Sequence, residues 1–172
     1  LVEAALDLPL LLPHPVAGIA LLLVLGRQSP VGEGLLELGL RVVGTPLGTV
    51  AAMLFVSAPL YVSAARASFA AVDEEHELVA RTLGAGPWRA FRRVVVPLAG
   101  RGLLAGAVVA WARAVSEFGA IVVLAYHPRV ASTLAYERFT GYGVGEALPV
   151  AAGLVVVALV PLVGLRALRA RG

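Results

Sequence analysis

The chain has 172 residues, 59% of them hydrophobic and only 15% charged, with a net charge of +3. Soluble domains carry about 25% charged residues, so this composition, with a strongly positive mean hydropathy, describes an integral membrane protein and leaves no room for a second, soluble domain. All 14 basic residues are Arg, their small excess excludes a basic face for nucleic acid, and the absence of Cys removes disulfides, Fe–S ligation, thiolate zinc sites and thiol nucleophiles.

At this length four or five spans of about 20 residues fit, in one integral domain covering 1–172. The start at Leu1, with acidic Glu3 and Asp7 where a signal peptide would be cationic, is read as a truncated product. The first apolar segment runs from about Leu8 to Leu25 and carries Pro9, Pro13 and Pro15, which predict a kink or a late helix start. The second, about Val43 to Ala65, is interrupted by Pro46 and Pro59 and lined with small or hydroxyl residues that allow close helix approach. The third, about Gly102 to Tyr126, repeats that theme with Gly102, Ala105, Gly106 and Ala110, then takes Arg113 and Glu117 into the apolar run. The fourth, about Ala147 to Leu165, is broken only by Gly153 and Pro161.

Arginine sets the orientation. The stretch from about 66 to 101 holds Arg66, Arg81, Arg89, Arg92, Arg93 and Arg101, and the C-terminal tail holds Arg166, Arg169 and Arg171. Two spans separate these clusters, so both belong on one face, which the positive-inside rule makes cytoplasmic. The opposite loops, Gly26 to Val42 and His127 to Glu146, balance their charges. Within the cytoplasmic loop, Asp73, Glu74, Glu75 and Glu77 predict the first turn of a short helix, where carboxylates complement the macrodipole. Leu78, Val79, Thr82 and Leu83 fall on its apolar side, and Gly84 stops it. Pro87 opens a second helix with Trp88, Phe91, Val94 and Val95 on one stripe. Taken alone, this pattern suits equally a helix lying in a partner's groove and one resting on the lipid surface.

The spacing within the loop resembles the coupling loop of ABC-transporter permease subunits. That family's pattern is Glu-Ala-Ala, three residues, Gly, nine residues, an aliphatic, any residue, an aliphatic and Pro. Here Ala80, Gly84, Val94, Val96 and Pro97 match, while Leu78 and Val79 stand where the family has Glu and Ala, and Glu77 comes one residue early. The resemblance favours docking and implies that Glu77, Leu78, Val79, Ala80, Leu83, Gly84, Ala85 and Pro97 meet a partner ATPase. Asp7-Leu8-Pro9-Leu10 with Ala17-Gly18, Phe55 to Pro59, Trp111 to Ala114 and Glu117 to Ala120 further resemble permeases of molybdate and tungstate uptake, with sulfate permeases as relatives. Tyr136 to Thr140 is similar to the tungstate branch.

The resemblance implies an all-α polytopic transmembrane bundle of about six spans, one or two of them N-terminal to Leu1. It also implies a multi-pass cell-membrane protein working as a homodimer, a cytoplasmic ABC ATPase dimer, and an extracytoplasmic binding protein that delivers the oxyanion. This chain would bind no cofactor or metal itself, with ATP and Mg on the ATPase; lacking Lys, it has no Gly-rich loop ending in Gly-Lys-Ser/Thr. Other oxyanions, sulfate or thiosulfate among them, remain open as cargo. Arg113 and Glu117, four apart on an expected helix, are read either as part of the path or as an ion pair fixing the packing. The second reading is preferred, because a bare strong anion site would trap a dianion that must also leave. Thr45, Thr49, Ser57 and Ser116 are candidate path-lining donors, with helix packing as the competing role. His14, His76 and His127 share no metal-ligand spacing and read as surface or interfacial residues.

Other classes fare worse. An intramembrane aspartyl enzyme needs two embedded Asp, yet only Asp7 and Asp73 exist, near or outside span ends, and no Ser–His pair shares a depth. The chain is therefore read as non-catalytic. A secondary transporter would show a repeated pair of broken helices around ionisable residues. A non-transporting membrane scaffold would not need the charged loop with Gly84 and Pro97.

Overall fold

The computed structural model of the chain describes residues 8–170; Glu3, Asp7, Arg171 and the side chain of Arg169 lie outside the described residues. The described elements are helices: α1 (His14–Leu25), α2 (Pro30–Glu37), α3 (Pro46–Ala70), α4 (Glu74–Thr82), α5 (Pro87–Val115), α6 (Gly119–Leu124), α7 (Ala131–Tyr142) and α8 (Val144–Ala170). Helices α3, α5 and α8 are long and apolar enough to cross a membrane. Helices α1 and α2, bent by 61° at their break, make a fourth if they form one broken span, so the count is three or four where composition suggested four or five. The all-α, polytopic architecture follows from the solvent: lipid satisfies no backbone group, so the chain satisfies its own within each helix.

Proline marks the boundaries. Residues 8–11 are already helical, the helix breaks at residues 12–13, and α1 resumes at His14 with a proline in its first turn, so the proline-rich segment is interrupted rather than late in starting. Ser29 caps α2 by accepting from the Gly32 N–H at 2.9 Å, ahead of Pro30. Pro46 was expected to interrupt the second segment; instead it opens α3, where a missing N–H costs nothing. Pro59, Pro149 and Pro161 sit inside long helices without ending them.

The largest departure is α5. What the sequence suggested as a loop helix from Pro87 and a separate span from Gly102 are one helix of 29 residues, about 43 Å long at 1.5 Å per residue. Pro97 lies inside it, directly after a π turn at Phe91–Val95 that closes with the Val96 N–H on the Phe91 carbonyl. The wider turn lets the ladder absorb a residue that cannot donate. The same helix ends at Val115, so the third segment breaks before Glu117 and resumes as the short α6.

The chain divides into two compact units, Leu1–Pro59 with Trp111–Gly172, and Leu60–Ala110. In the first, Ala17, Ala52, Val56, Ala120, Ile121 and Leu124 form the buried core, with Leu21, Leu22 and Met53 packed against it. Helix α1 meets α6 so closely that a Cβ on Gly18 would stand 2.9 Å from the Ala120 Cα. In the second unit the close approach is between α3 and α5, where Gly102 abuts Ser68 and a Cβ on Gly106 would reach the Ala64 Cβ at 2.5 Å. Small residues are what such a seam requires, since lipid supplies no hydrophobic drive to association.

Gly106→Val is expected to cost about 1–3 kcal/mol through overpacking and to lower the apparent melting temperature in detergent. Gly100→Ala, which places a Cβ where no atom lies within 4 Å, should leave it unchanged.

Candidate functional site

Two constellations carry polar chemistry. The first is α4 and the turn after it. Asp73 caps the helix, its carboxylate accepting from the Glu75 N–H at 3.0 Å, and Glu74, Glu75 and Glu77 occupy the first turn as the charge pattern predicted. The far end closes with two crossed hydrogen bonds, Gly84 N–H to Arg81 O at 3.0 Å and Ala85 N–H to Ala80 O at 3.1 Å. Gly84 sits at φ +89°, a left-handed conformation that glycine adopts without strain. Gly86 and Pro87 then start α5, and Trp88 stacks on Phe91, whose ring lies 5.8 Å from Phe69.

This geometry leaves apolar side chains in the open. Leu78, Val79, Leu83 and Trp88 are 55%, 58%, 83% and 71% exposed. Beside them lies a groove of about 310 Å³ lined by Ala80, Leu83, Gly84, Ala85, Arg89, Ala90, Arg93 and Val94. Of the residues expected to dock, Ala80, Leu83, Gly84 and Ala85 thus share one concave surface. Leu78 and Val79 stand on the same helix, Glu77 pairs with Arg81 at 4.0 Å, and Pro97 lies within α5, outside that lining. Arg89 and Arg93 are groove residues that sequence reading left as bystanders; their spacing of four on a helix was the available signal.

The second constellation centres on Glu117, in the first compact unit. Sequence spacing placed Arg113 and Glu117 on one helix face; the helix ends between them, and the pair forms across its end. Arg113 Nη2 lies 2.9 Å from Glu117 Oε2, and the Glu117 side chain is only 1% exposed. The other carboxylate oxygen, Oε1, accepts from the Ala120 N–H at 2.8 Å, where α6 begins and negative charge is favoured. Ser132 donates to the Glu117 main-chain carbonyl at 2.6 Å. His14 completes the cluster from α1, with Nδ1 3.2 Å from Glu117 Oε2 and its ring nitrogens 2.8 and 3.0 Å from Arg113 Nη2. His14, read from the sequence as a surface or interfacial residue, is half-exposed and interfacial, but its particular partners were not foreseen, because Arg113 lies 99 residues away and no local pattern announces it.

The four hydroxyl candidates are not joined to this cluster by a common ligand site. Thr45 directs its hydroxyl at the Arg41 and Val42 carbonyls, Ser57 donates to Met53 O at 2.7 Å, and Ser116 donates to Arg113 O at 3.0 Å. Thr49 differs: its Oγ1 is buried without a hydrogen-bond partner among the described residues. Among the described residues no group of three or more His, Asp or Glu is placed to hold a metal ion.

Helix α4, acidic in its first turn and exposed, thus stands in the chain between two membrane-length helices. The family described as "Binding-protein-dependent transport system inner membrane component" matches residues 1–170. The chain belongs to this family. It is 43% identical over 158 residues to the molybdate/tungstate transport system permease protein WtpB of Thermococcus kodakarensis, covering 92% of this chain and 59% of that relative. The WtpB protein of Pyrococcus furiosus is 42% identical over 171 residues, 99% of this chain and 64% of the relative. A probable sulfate transport system permease protein, cysT of Chlorella vulgaris, is 34% identical over 164 residues, 93% of this chain and 62% of the relative. The chain therefore spans about three fifths of the length of these relatives. Family membership and the apolar helices together make it a multi-pass membrane transport component.

Glu117→Ala strips a buried charge pair of its acid and leaves Arg113 unmatched, so a loss of about 3–5 kcal/mol in stability is expected. Glu117→Gln, which keeps an acceptor for the Ala120 N–H, should lose less. Thermal unfolding in detergent orders wild type above Gln above Ala; equal stability of Ala and wild type would remove Glu117 from its structural role.

Proposed function

We propose that this chain is the membrane-spanning subunit of an importer that carries a tetrahedral oxyanion, molybdate or tungstate first and sulfate as the alternative, on energy from ATP hydrolysed by a partner. The observation that carries this reading is α4. It is a self-capped helix that ends at a left-handed glycine and exposes Leu78, Val79 and Leu83 beside a groove, while its ends run into membrane-length helices. A motor that closes and opens needs a rigid, apolar element to push against, and a short capped helix supplies one. The names of the relatives support the cargo.

In this reading Leu78, Val79, Ala80, Leu83, Gly84 and Ala85 seat in a cytoplasmic ABC ATPase, with Glu77 and Pro97 shaping the element. Two copies of the permease and two of the ATPase form the complex, ATP and Mg bind only to the ATPase, and an external binding protein hands over the anion. The arginine clusters at 66–101 and at the C-terminus support a cytoplasmic side for both. Arg113 and Glu117 hold the packing, since the carboxylate already takes the guanidinium, a main-chain N–H and the His14 ring. Thr49, whose hydroxyl has no protein partner among the described residues, is the best placed of the hydroxyls to offer a weak, replaceable hydrogen bond to a passing dianion. Thr45, Ser57 and Ser116 direct their protons at their own backbone.

The test is ATPase activity of the permease reconstituted with its ATPase and binding protein, in the presence of molybdate, tungstate or sulfate. Stimulation by one oxyanion is expected, and Gly84→Pro, which cannot adopt φ +89°, should abolish it in a complex that still assembles. Absence of stimulation by all three would remove the oxyanion assignment, and full stimulation of Gly84→Pro would remove the coupling role of α4. Arg113→Ala should lower stability together with transport and ATPase activity; loss of transport alone would return it to the path.

A further inference from the structure

The groove beside α4 has a charge that the docking reading does not use. Arg89 and Arg93, one helical turn apart on α5, line it together with Leu83 and Val94. Both are exposed, and neither forms an ion pair among the described residues. Four arginines are matched, Arg81 with Glu77, Arg113 with Glu117, Arg129 with Glu137 and Arg138 with Glu146, while Arg89 and Arg93 share with Arg27, Arg41, Arg92 and Arg101 the lack of an ion pair among the described residues, and differ from those in lining the groove beside α4. The carboxylate nearest in sequence, Glu77, faces Arg81 on α4, and Glu74 and Glu75 stand at the opposite end of that helix from the groove-lining Leu83. Two guanidinium groups on the wall of an apolar concavity are thus left without an acid.

Resting on the reading of α4 as the docking helix, we propose that the groove receives an apolar segment of the ATPase that carries one carboxylate, held between Arg89 and Arg93 while its aliphatic neighbours cover Leu83. At about 310 Å³ the groove is at the small end of ligand clefts, with room for one or two side chains. Arg presents a planar fork of donors that matches a carboxylate, and it is enriched among residues that dominate interfaces. Coverage by the partner also removes water from the pair, which is what raises an exposed ion pair above its usual small worth. An anionic headgroup offers the same charge but suits the surroundings less well. A helix opening with Asp73, Glu74, Glu75 and Glu77 would be repelled by an anionic membrane, and Leu78, Val79 and Leu83 would stay exposed. Arg92, which does not line the groove, remains available to lipid.

The experiment measures affinity of the purified ATPase for the intact permease in nanodiscs of neutral phosphatidylcholine. Arg89→Glu/Arg93→Glu should weaken binding about tenfold or more, and flatten its salt dependence, with Arg92→Glu close to wild type. Arg89→Gln/Arg93→Gln serves as the milder variant should the reversal not fold, and should lose severalfold. A single Asp or Glu changed to Arg on the ATPase should restore binding to the reversed permease. Wild-type affinity of both double variants, with binding lost in Leu83→Asp, would overturn the clamp and leave docking by α4 standing. Wild-type affinity of all of these variants would overturn the docking reading itself. A defect seen only in discs containing anionic lipid would assign Arg89 and Arg93 to headgroups and overturn the proposal.

Discussion

A buried backbone or charged group left without a partner is costly, so where this chain leaves a helix inside its own packed core it must satisfy those groups with its own atoms. The break between α5 and α6 shows how. Glu117 takes the place of a missing turn: one carboxylate oxygen caps the next helix at Ala120, the other holds Arg113 and His14, and its carbonyl receives Ser132. A single buried residue thereby ties segments from α1, α5, α6 and α7 together. The charge is tolerable there because it is fully occupied, and removal of any partner leaves a costly remainder.

The turn after α4 solves the same accounting problem in the open. Its carbonyls are met by main-chain N–H groups folding back across Gly84, so that the end needs no help from a neighbour. That self-sufficiency frees the side chains of Leu78, Val79 and Leu83 from internal duties. A helix closed in this way holds its shape without being buried.

Local signals were legible and long-range ones were not. Asp73, the acidic first turn, Gly84 and Pro87 each act within a few residues of themselves, and the structure places helix start, stop and restart where they indicate. Hydropathy likewise announced a helical membrane protein. Proline was ambiguous, because the same ring opens a helix at Pro46 and rides inside one at Pro59 and Pro97. No glycine or proline foretold the end of α5 at Val115. That end depends on contacts to Glu117 from His14, Ala120 and Ser132, which exist only once the chain has folded. The unmatched arginines of the groove were visible as letters, but their isolation was a property of space.

The π turn at Phe91–Val95 amounts to one residue of slack in an otherwise regular ladder. Were it drawn out, the start of α5 would swing by about 100° about the helix axis relative to the glycine seam further along, one residue's share of a 3.6-residue turn. The direction in which Arg89 faces, measured against Gly102 and Gly106, is therefore a matter of phase. Five residues of wider winding set that phase, ahead of the glycines that pack further along the same helix.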